Sequence, residues 1–340
     1  MSKAKSDPIF EPMPIPEPTT SITFADAIRD WLKQTAIRVD PISLQGYEIL
    51  ARVHVLPFFD KNGVLLKDVD RGIIQSYINE KYENGRKDGK GGLSATSIRK
   101  HKNVIFQTLK EAVINNQIPS NPCQYINLPQ MQRYEAHYYS TAQINTLLDC
   151  IKEEPLYPLI YTTAVYGLRR SEVLGIKWDS IDFNTELVTI KHTVSKVMTV
   201  VEKDKTKNAS SYRSFPLIPE IRNLFLELKQ QEQENRQQLG KDYIENDYVF
   251  KWDAGKPFEP DHVTRKFSQL LAKHKLPHIR FHELRHSCAS NLLNMGFNLK
   301  EVQEWLGHSS IDITADIYAH LDVTRKQTMA SRIGASLTAC

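Results

Sequence analysis

Strand-like sequence is confined to one window of this chain, residues 186–217, so any sheet must be small. Three short runs there are strand candidates: Glu186–Val194, Val197–Glu202 and Tyr212–Leu217. Nearly all other patterned sequence repeats its apolar residues at helical spacing. The expected fold class is therefore mainly α with a small antiparallel β-sheet (α+β). At 340 residues the chain is long enough for two or three domains at roughly 100–200 residues each.

The first helical stretch is preceded by a tail, residues 1–20, holding Pro8, Pro12, Pro14, Pro16 and Pro18. That alternation opposes helix and sheet and favours extended, solvated chain. Residues 21–127 then read as an all-helical bundle. Thr23 caps a helix whose stripe is Phe24, Ile28, Trp31 and Leu32; Ser43 is expected to cap a second, ending before Leu56-Pro57. A third is expected over Asp70–Asn84. Gly85, Gly89, Gly91 and Gly92 with Arg86, Lys87 and Lys90 make a basic loop, and Ser94 or Thr96 opens a fourth helix. That helix carries Arg99, Lys100 and Lys102 opposite Ile105, Leu109, Ala112 and Val113. Residues 128–139 read as a linker. The run Ser140-Thr141-Ala142-Gln143 forms a capping box that restarts helix in a second domain, 140–340. Its helices are expected near 141–151, 155–165, 170–176, 219–238, 261–274, 282–294, 299–305 and 311–320.

Composition narrows the classes. With 41% hydrophobic and 25% charged residues the chain is an ordinary globular one. No run approaches the ~20 apolar residues of a membrane span, and no apolar stretch at the N-terminus suggests a secretory signal. Cys123, Cys150, Cys288 and Cys340 show no metal or disulfide spacing, and each reads as a small buried apolar residue or, for Cys340, part of a loose tail. The expected home is a reducing cytoplasm. Net charge is +4, and residues 21–135 hold 16 Lys/Arg against 12 Asp/Glu. A polyanionic partner, gripped in good part by the N-terminal half, is consistent with that excess.

Four stretches carry the chemistry. They are Gly167-Leu168-Arg169-Arg170-Ser171-Glu172, Lys205-Thr206, His282-Glu283-Leu284-Arg285-His286, and Leu306-Gly307-His308-Ser309-Ser310 followed by Tyr318 in Ile317-Tyr318-Ala319-His320. Taken singly each has an ordinary explanation: an i, i+3 ion pair, a solvated turn lysine, packing or capping near a helix end. The third also satisfies H-E-x-x-H, which could place His282 and His286 on zinc with Glu283 as base and Glu301 or Glu304 as a third ligand. That zinc peptidase alternative leaves Arg169, Lys205, His308 and Tyr318 without roles.

Together, in this order, the four stretches resemble the tyrosine recombinase (phage integrase) family, over most of the chain. The spacing of His308 and Tyr318 is similar to that of integrases from Gram-positive phages and conjugative elements. The helical first domain resembles the family's core-binding domain. Only about 20 residues precede it, so the arm-binding domain of many such integrases is expected to be absent.

The resemblance implies site-specific DNA breakage and rejoining through a 3′-phosphotyrosyl intermediate, without ATP, metal or any other cofactor. It implies Tyr318 as nucleophile, Arg169 and Arg285 as the clamp on the phosphate, and His282 and His308 as donors, with His282 also able to accept the tyrosine proton. Lys205 is the implied acid for the leaving 5′ oxygen, with Lys203 and Lys207 as the nearest rivals. Glu172 would brace Arg169 and His286 would pack structurally, while Arg170 falls at a variable position. The chemistry suits these types. Guanidinium is a permanent cation with a planar fork for phosphate oxygens, and a phosphorane gains charge that fixed donors stabilise.

The implied partners are double-stranded core sites held in a C-shaped clamp and a homotetramer on synapsed DNA, with accessory DNA-bending proteins as a further class. The segment after Tyr318 would pack in trans, using Ile333 and Leu337. The expected subtype is a mobile-element integrase acting in the nucleoid. Alternatives are a chromosome or plasmid dimer resolvase, a type IB topoisomerase and an idle DNA-binding regulator.

Overall fold

The computed structural model describes residues 22–131, 137–196, 200–203 and 212–307, together with 330, 331, 333, 334 and 337. The chain divides into two compact units, residues 1–133 and 134–340. Among the described residues no helix is long and apolar enough to cross a membrane.

The first unit is all helical: α1 (Phe24–Thr35), α2 (Pro41–Leu50), α3 (Leu56–Asn62), α4 (Arg71–Asn84) and α5 (Ala95–Ile114). Its starts follow from side-chain caps. Thr23, Asp70 and Ser94 each accept the backbone N–H three residues on. The start of α2 differs from the sequence expectation. Asp40, not Ser43, accepts the Ile42 N–H, and Pro41 opens the helix. A carboxylate cap before a proline with no N–H to satisfy defines a start three residues earlier. Nor does the chain leave helix before Leu56-Pro57. A π-helical stretch, Ala51–Val55, runs into α3: the Leu56 N–H reaches back to the Ala51 carbonyl, and Pro57, which has no N–H to donate, follows on that wider turn. Phe24, Ile28, Phe59, Tyr77, Ile105 and Leu109 are buried in one core. Each such side chain contributes roughly 1.5–3 kcal/mol of burial.

The second unit begins with α6 (Thr141–Cys150), α7 (Tyr157–Tyr166) and α8 (Arg170–Leu174). The capping box at Ser140 and Gln143 is formed in both directions. Tyr139, expected in the linker, is instead core: its N–H donates to Ser287 Oγ at 2.9 Å and its hydroxyl to the Pro277 carbonyl. Strands β1 (Ile181–Asp182), β2 (Leu187–Ile190) and β5 (Arg213–Pro216) form an antiparallel sheet in the order β1-β2-β5. Strands β3 (Thr193–Lys196) and β4 (Val200–Lys203) form a separate antiparallel pair. The single expected run Glu186–Val194 therefore breaks between Ile190 and Thr193 and serves two sheets.

Four helices follow: α9 (Pro219–Leu239), α10 (Pro260–Lys273), α11 (Glu283–Asn294) and α12 (Leu299–Leu306). The helix expected at 311–320 lies outside the described residues. Leu159, Ile160, Val188, Phe215, Phe267 and Leu284 are central in the core. Cys123 and Cys288 are buried as expected, whereas Cys150, at the end of α6, is exposed.

Candidate active site

The site forms where α7, α8, α11 and α12 end or begin. Helix α7 stops at Gly167, which adopts the left-handed conformation at φ +63°. Two residues later Arg169 precedes the five-residue α8. Glu172 folds back, and its Oε2 accepts the Arg169 N–H at 2.9 Å. The i, i+3 spacing of the first motif is thus a local cap as well as an ion pair: Arg169 Nη1 donates to Glu172 Oε1 at 2.5 Å.

Arg285, in the first turn of α11, is 1% exposed. Its Nη1 donates to the Gly167 carbonyl at 2.8 Å and its Nη2 to the Leu306 carbonyl at 2.7 Å. Arg169 Nη2 donates to the next carbonyl, that of Gly307, at 3.0 Å. Both arginines of the sequence motifs therefore hang on the C-terminal end of α12. Helix termini leave such carbonyls unpaired and carry partial negative charge, so cations are favoured there.

Sequence reasoning missed a third arginine. Arg213, the first residue of β5, donates from Nη2 to Glu172 Oε2 at 2.9 Å and from Nη1 to Oε1 at 3.3 Å. Its Nε donates to the Trp305 carbonyl at 3.1 Å, and the guanidinium lies 5.1 Å over the Phe215 ring. The available signal was an arginine at the head of the Tyr212–Leu217 run, where a buried cation needs a carboxylate.

Glu172 is 1% exposed, and Arg285 Nη1 stands 4.0 Å from its Oε2. Burial alone would raise its carboxyl. The hydrogen bond and charge of Arg213, with those of Arg169, outweigh that and hold it below the usual carboxylate range. Burial and then the neighbouring Arg169 bring the Arg285 guanidinium down to about 9, so it remains a cation at neutral pH.

His282 sits immediately before α11 and keeps solvent-facing surface. Desolvation by its surroundings, then His286, Arg285 and Arg169, push its imidazole down to about 4. At neutral pH the ring is uncharged and one nitrogen can accept a proton. His286 lies one turn on, with ring centroids 5.3 Å apart and the planes nearly perpendicular. Its Nδ1 is buried without a hydrogen-bond partner among the described residues.

Arg170 is held by the Pro260 carbonyl and Thr264 Oγ1, at 3.1 and 2.6 Å. Lys205, His308 and Tyr318 lie outside the described residues, as do Lys207 and His320. Lys203 is the last residue of β4. Glu283, the base in the zinc alternative, is 3% exposed, and its carboxylate accepts the Arg280 N–H. Among the described residues no three His, Cys, Asp or Glu side chains group as metal ligands. In the first unit Arg99 and Lys100 are exposed on α5, whereas the Lys102 ammonium lies 4.3 Å over the Phe106 ring.

A mainly helical chain with a small antiparallel sheet, whose two motif arginines converge beside a neutral histidine, has the makings of an enzyme that breaks and rejoins DNA. Residues 138–325 match the phage integrase family, and the chain belongs to that family of tyrosine recombinases. It is 27% identical over 335 residues to a protein named tyrosine recombinase XerC-like from Caldanaerobacter subterraneus subsp. tengcongensis, covering 91% of this chain and 82% of that one. It is 25% identical to the ICEBs1 integrase of Bacillus subtilis, covering 92% and 83%. The fold is similar to that of the Tn1549 transposon integrase, solved in complex with a circular intermediate DNA, at a TM-score of 0.72 and 20% identity over 92% of this chain and 100% of that one. Family membership assigns DNA breakage and rejoining, so the zinc peptidase alternative falls away.

Proposed function

We propose that the protein is a mobile-element integrase that cuts and rejoins core-site DNA through a 3′-phosphotyrosyl intermediate. The observation that carries this reading is the cluster of Arg169 and Arg285 on the α12 terminus beside the neutral His282. Similarity to the ICEBs1 integrase of Bacillus subtilis supports the mobile-element subtype.

In this reading Tyr318 attacks the phosphorus. A free phenol titrates near ~10, so an acceptor for its proton and nearby cations assist the attack. His282 takes that proton. Arg169 and Arg285 hold the non-bridging oxygens with permanent charge, and His308 donates to one of them. Lys205 protonates the departing 5′ oxygen. Glu172 holds Arg169, and His286 fills space behind His282. Arg99 and Lys100, with Lys102 at the edge, grip phosphates from the first unit. Pairing two sites of two half-sites each calls for four protomers, and the segment containing Ile333 and Leu337 links neighbours in trans.

The test is capture of the covalent complex. A nicked duplex would be built on the half-site this protein selects from a random-sequence pool. It should trap an adduct that peptide mapping places on Tyr318. Tyr318→Phe should form none while half-site affinity stays within about threefold, because only the attacking oxygen is lost. An adduct on another residue, or one formed by the Phe variant, overturns the assignment.

A further inference from the structure

The carbonyls of Trp305, Leu306 and Gly307 are consecutive at the end of α12, and each accepts from a different arginine: Arg213, Arg285 and Arg169. The same three guanidinium groups surround one buried carboxylate, Glu172. The charge count here is informative. Arg169 and Arg285 with Glu172 alone would sum to one net positive charge. A pentacoordinate phosphorane carries two negative charges on its non-bridging oxygens. Arg213 restores a second net positive charge. It does so from behind: its side chain is 9% exposed, and its three donor nitrogens are already engaged by Glu172 and Trp305.

We propose that Arg213 is a positioning residue that serves as the counter-ion of Glu172 and so leaves the charges of Arg169 and Arg285 for the scissile phosphate. Without it, Glu172 would draw on its two remaining neighbours. Arg169 is already bonded to it, and Arg285 stands 4.0 Å away. Each guanidinium turned toward Glu172 is one turned from the phosphate. Arg213 also fixes β5 to the last turn of α12, through the Trp305 carbonyl. The inference rests on the recombinase reading above, with Arg169 and Arg285 as the phosphate clamp.

The experiment measures single-turnover cleavage of the nicked half-site duplex described above alongside affinity for the intact half-site. Arg213→Met should slow cleavage by about 10–100-fold, the scale at which partners behind a functional group usually act. Affinity should change less than about threefold. Arg213→Lys keeps the charge and should recover most of the rate. The double variant Arg213→Met/Glu172→Gln removes the carboxylate charge that needs a counter-ion, and should cleave faster than Arg213→Met alone. A merely structural role would instead lower the thermal midpoint and half-site affinity of Arg213→Met along with its rate, since a buried carboxylate left unpaired destabilises the fold. Full-rate cleavage by Arg213→Met, equal slowing by Lys and Met, or a double variant no faster than Arg213→Met each overturns the proposal. Wild-type protein that binds this duplex and never forms a phosphotyrosyl adduct overturns the recombinase reading itself, and is recognised by that control before any variant is compared.

Discussion

Arg285 donates from Nη1 to the Gly167 carbonyl at 2.8 Å, joining residues 118 apart in the chain. The carbonyl points there because Gly167 turns α7 with a left-handed backbone. A side chain at 167 has no room: a Cβ would stand 2.4 Å from Leu306 Cδ2 and 3.1 Å from Cys288 Sγ. The glycine of the first motif is therefore required for both conformation and close approach.

Gly167→Ala should cost about 2–4 kcal/mol, combining left-handed strain with overpacking against α11 and α12. In a unit of this size the thermal midpoint should fall by about 5–15 °C. Cleavage should fall further than the stability loss explains, because the carbonyl that anchors Arg285 moves with residue 167. A midpoint within 2 °C of wild type by calorimetry, with cleavage unchanged, would refute this account.

The proposed role of Lys205 is checked by changing the leaving group. Lys205→Ala should lose cleavage of an ordinary substrate by about 10²–10⁴-fold, the usual scale for a general acid. A substrate with a 5′-bridging phosphorothiolate releases a thiol that needs no proton, and should restore cleavage selectively in that variant. If Lys203→Ala or Lys207→Ala is rescued instead, the acid is the neighbouring lysine.

A third prediction concerns pH and the first unit. His101 is 2% exposed, its Nδ1 lies 2.7 Å from the Tyr77 hydroxyl, and its ring centroid is 4.9 Å from that of His54, with the planes tilted by 41°. Burial, then the charges of His54 and Lys81, push its imidazole down to about 4. The unfolded chain, titrating near 6.5, therefore binds a proton that the folded chain refuses between about pH 6.5 and 4. Stability from this group is level above pH 6.5 and declines as pH falls through that window, by on the order of 2 kcal/mol. Urea titrations at pH 7.5 and 4.5 should show a smaller stability gap in His101→Gln than in wild type. An equal gap would remove His101 from the linkage.

Local features of the fold were legible because their causes are local. Thr23, Ser94 and the Ser140–Gln143 box start helices through hydrogen bonds spanning three residues, a distance any sequence pattern displays. The start of α2 was misplaced because Ser43 and Asp40 are both good caps, and the decision lies with Pro41. The split of Glu186–Val194 was hidden because pairing decides it. Val188 faces Phe215, whereas Val194 faces Glu202. The same holds at the site. Arg169 and Glu172 are three apart and visible as a motif, while Arg213 is bound to Glu172 across 41 residues and through a carbonyl of α12. No local spacing encodes such a counter-ion.

The last prediction concerns the segment beyond residue 326. Ile333 is 57% exposed and Leu337 is 74% exposed, and their four-residue spacing puts both on one side of a helix. Isolated exposed apolar residues are common, but two at this spacing make a stripe suited to a complementary groove. In the proposed tetramer that groove belongs to the next catalytic unit, and the donor–acceptor contacts run head to tail around the assembly. Such heterologous contacts close into a ring when the rotation permits. They would tie the placement of each tyrosine to its neighbour, so that cleavage alternates between pairs of subunits. Deleting residues 327–340 should leave binding to one half-site within about threefold of full length, since that step uses a single protomer. Synaptic complexes on native gels should weaken by at least about tenfold, a total loss of roughly 1.4 kcal/mol or more, and cleavage should become unequal between the two strands. The double variant Ile333→Ser/Leu337→Ser should reproduce this without shortening the chain. A truncated protein that assembles synaptic complexes and recombines at the full-length rate would show that the segment has no part in coupling the subunits.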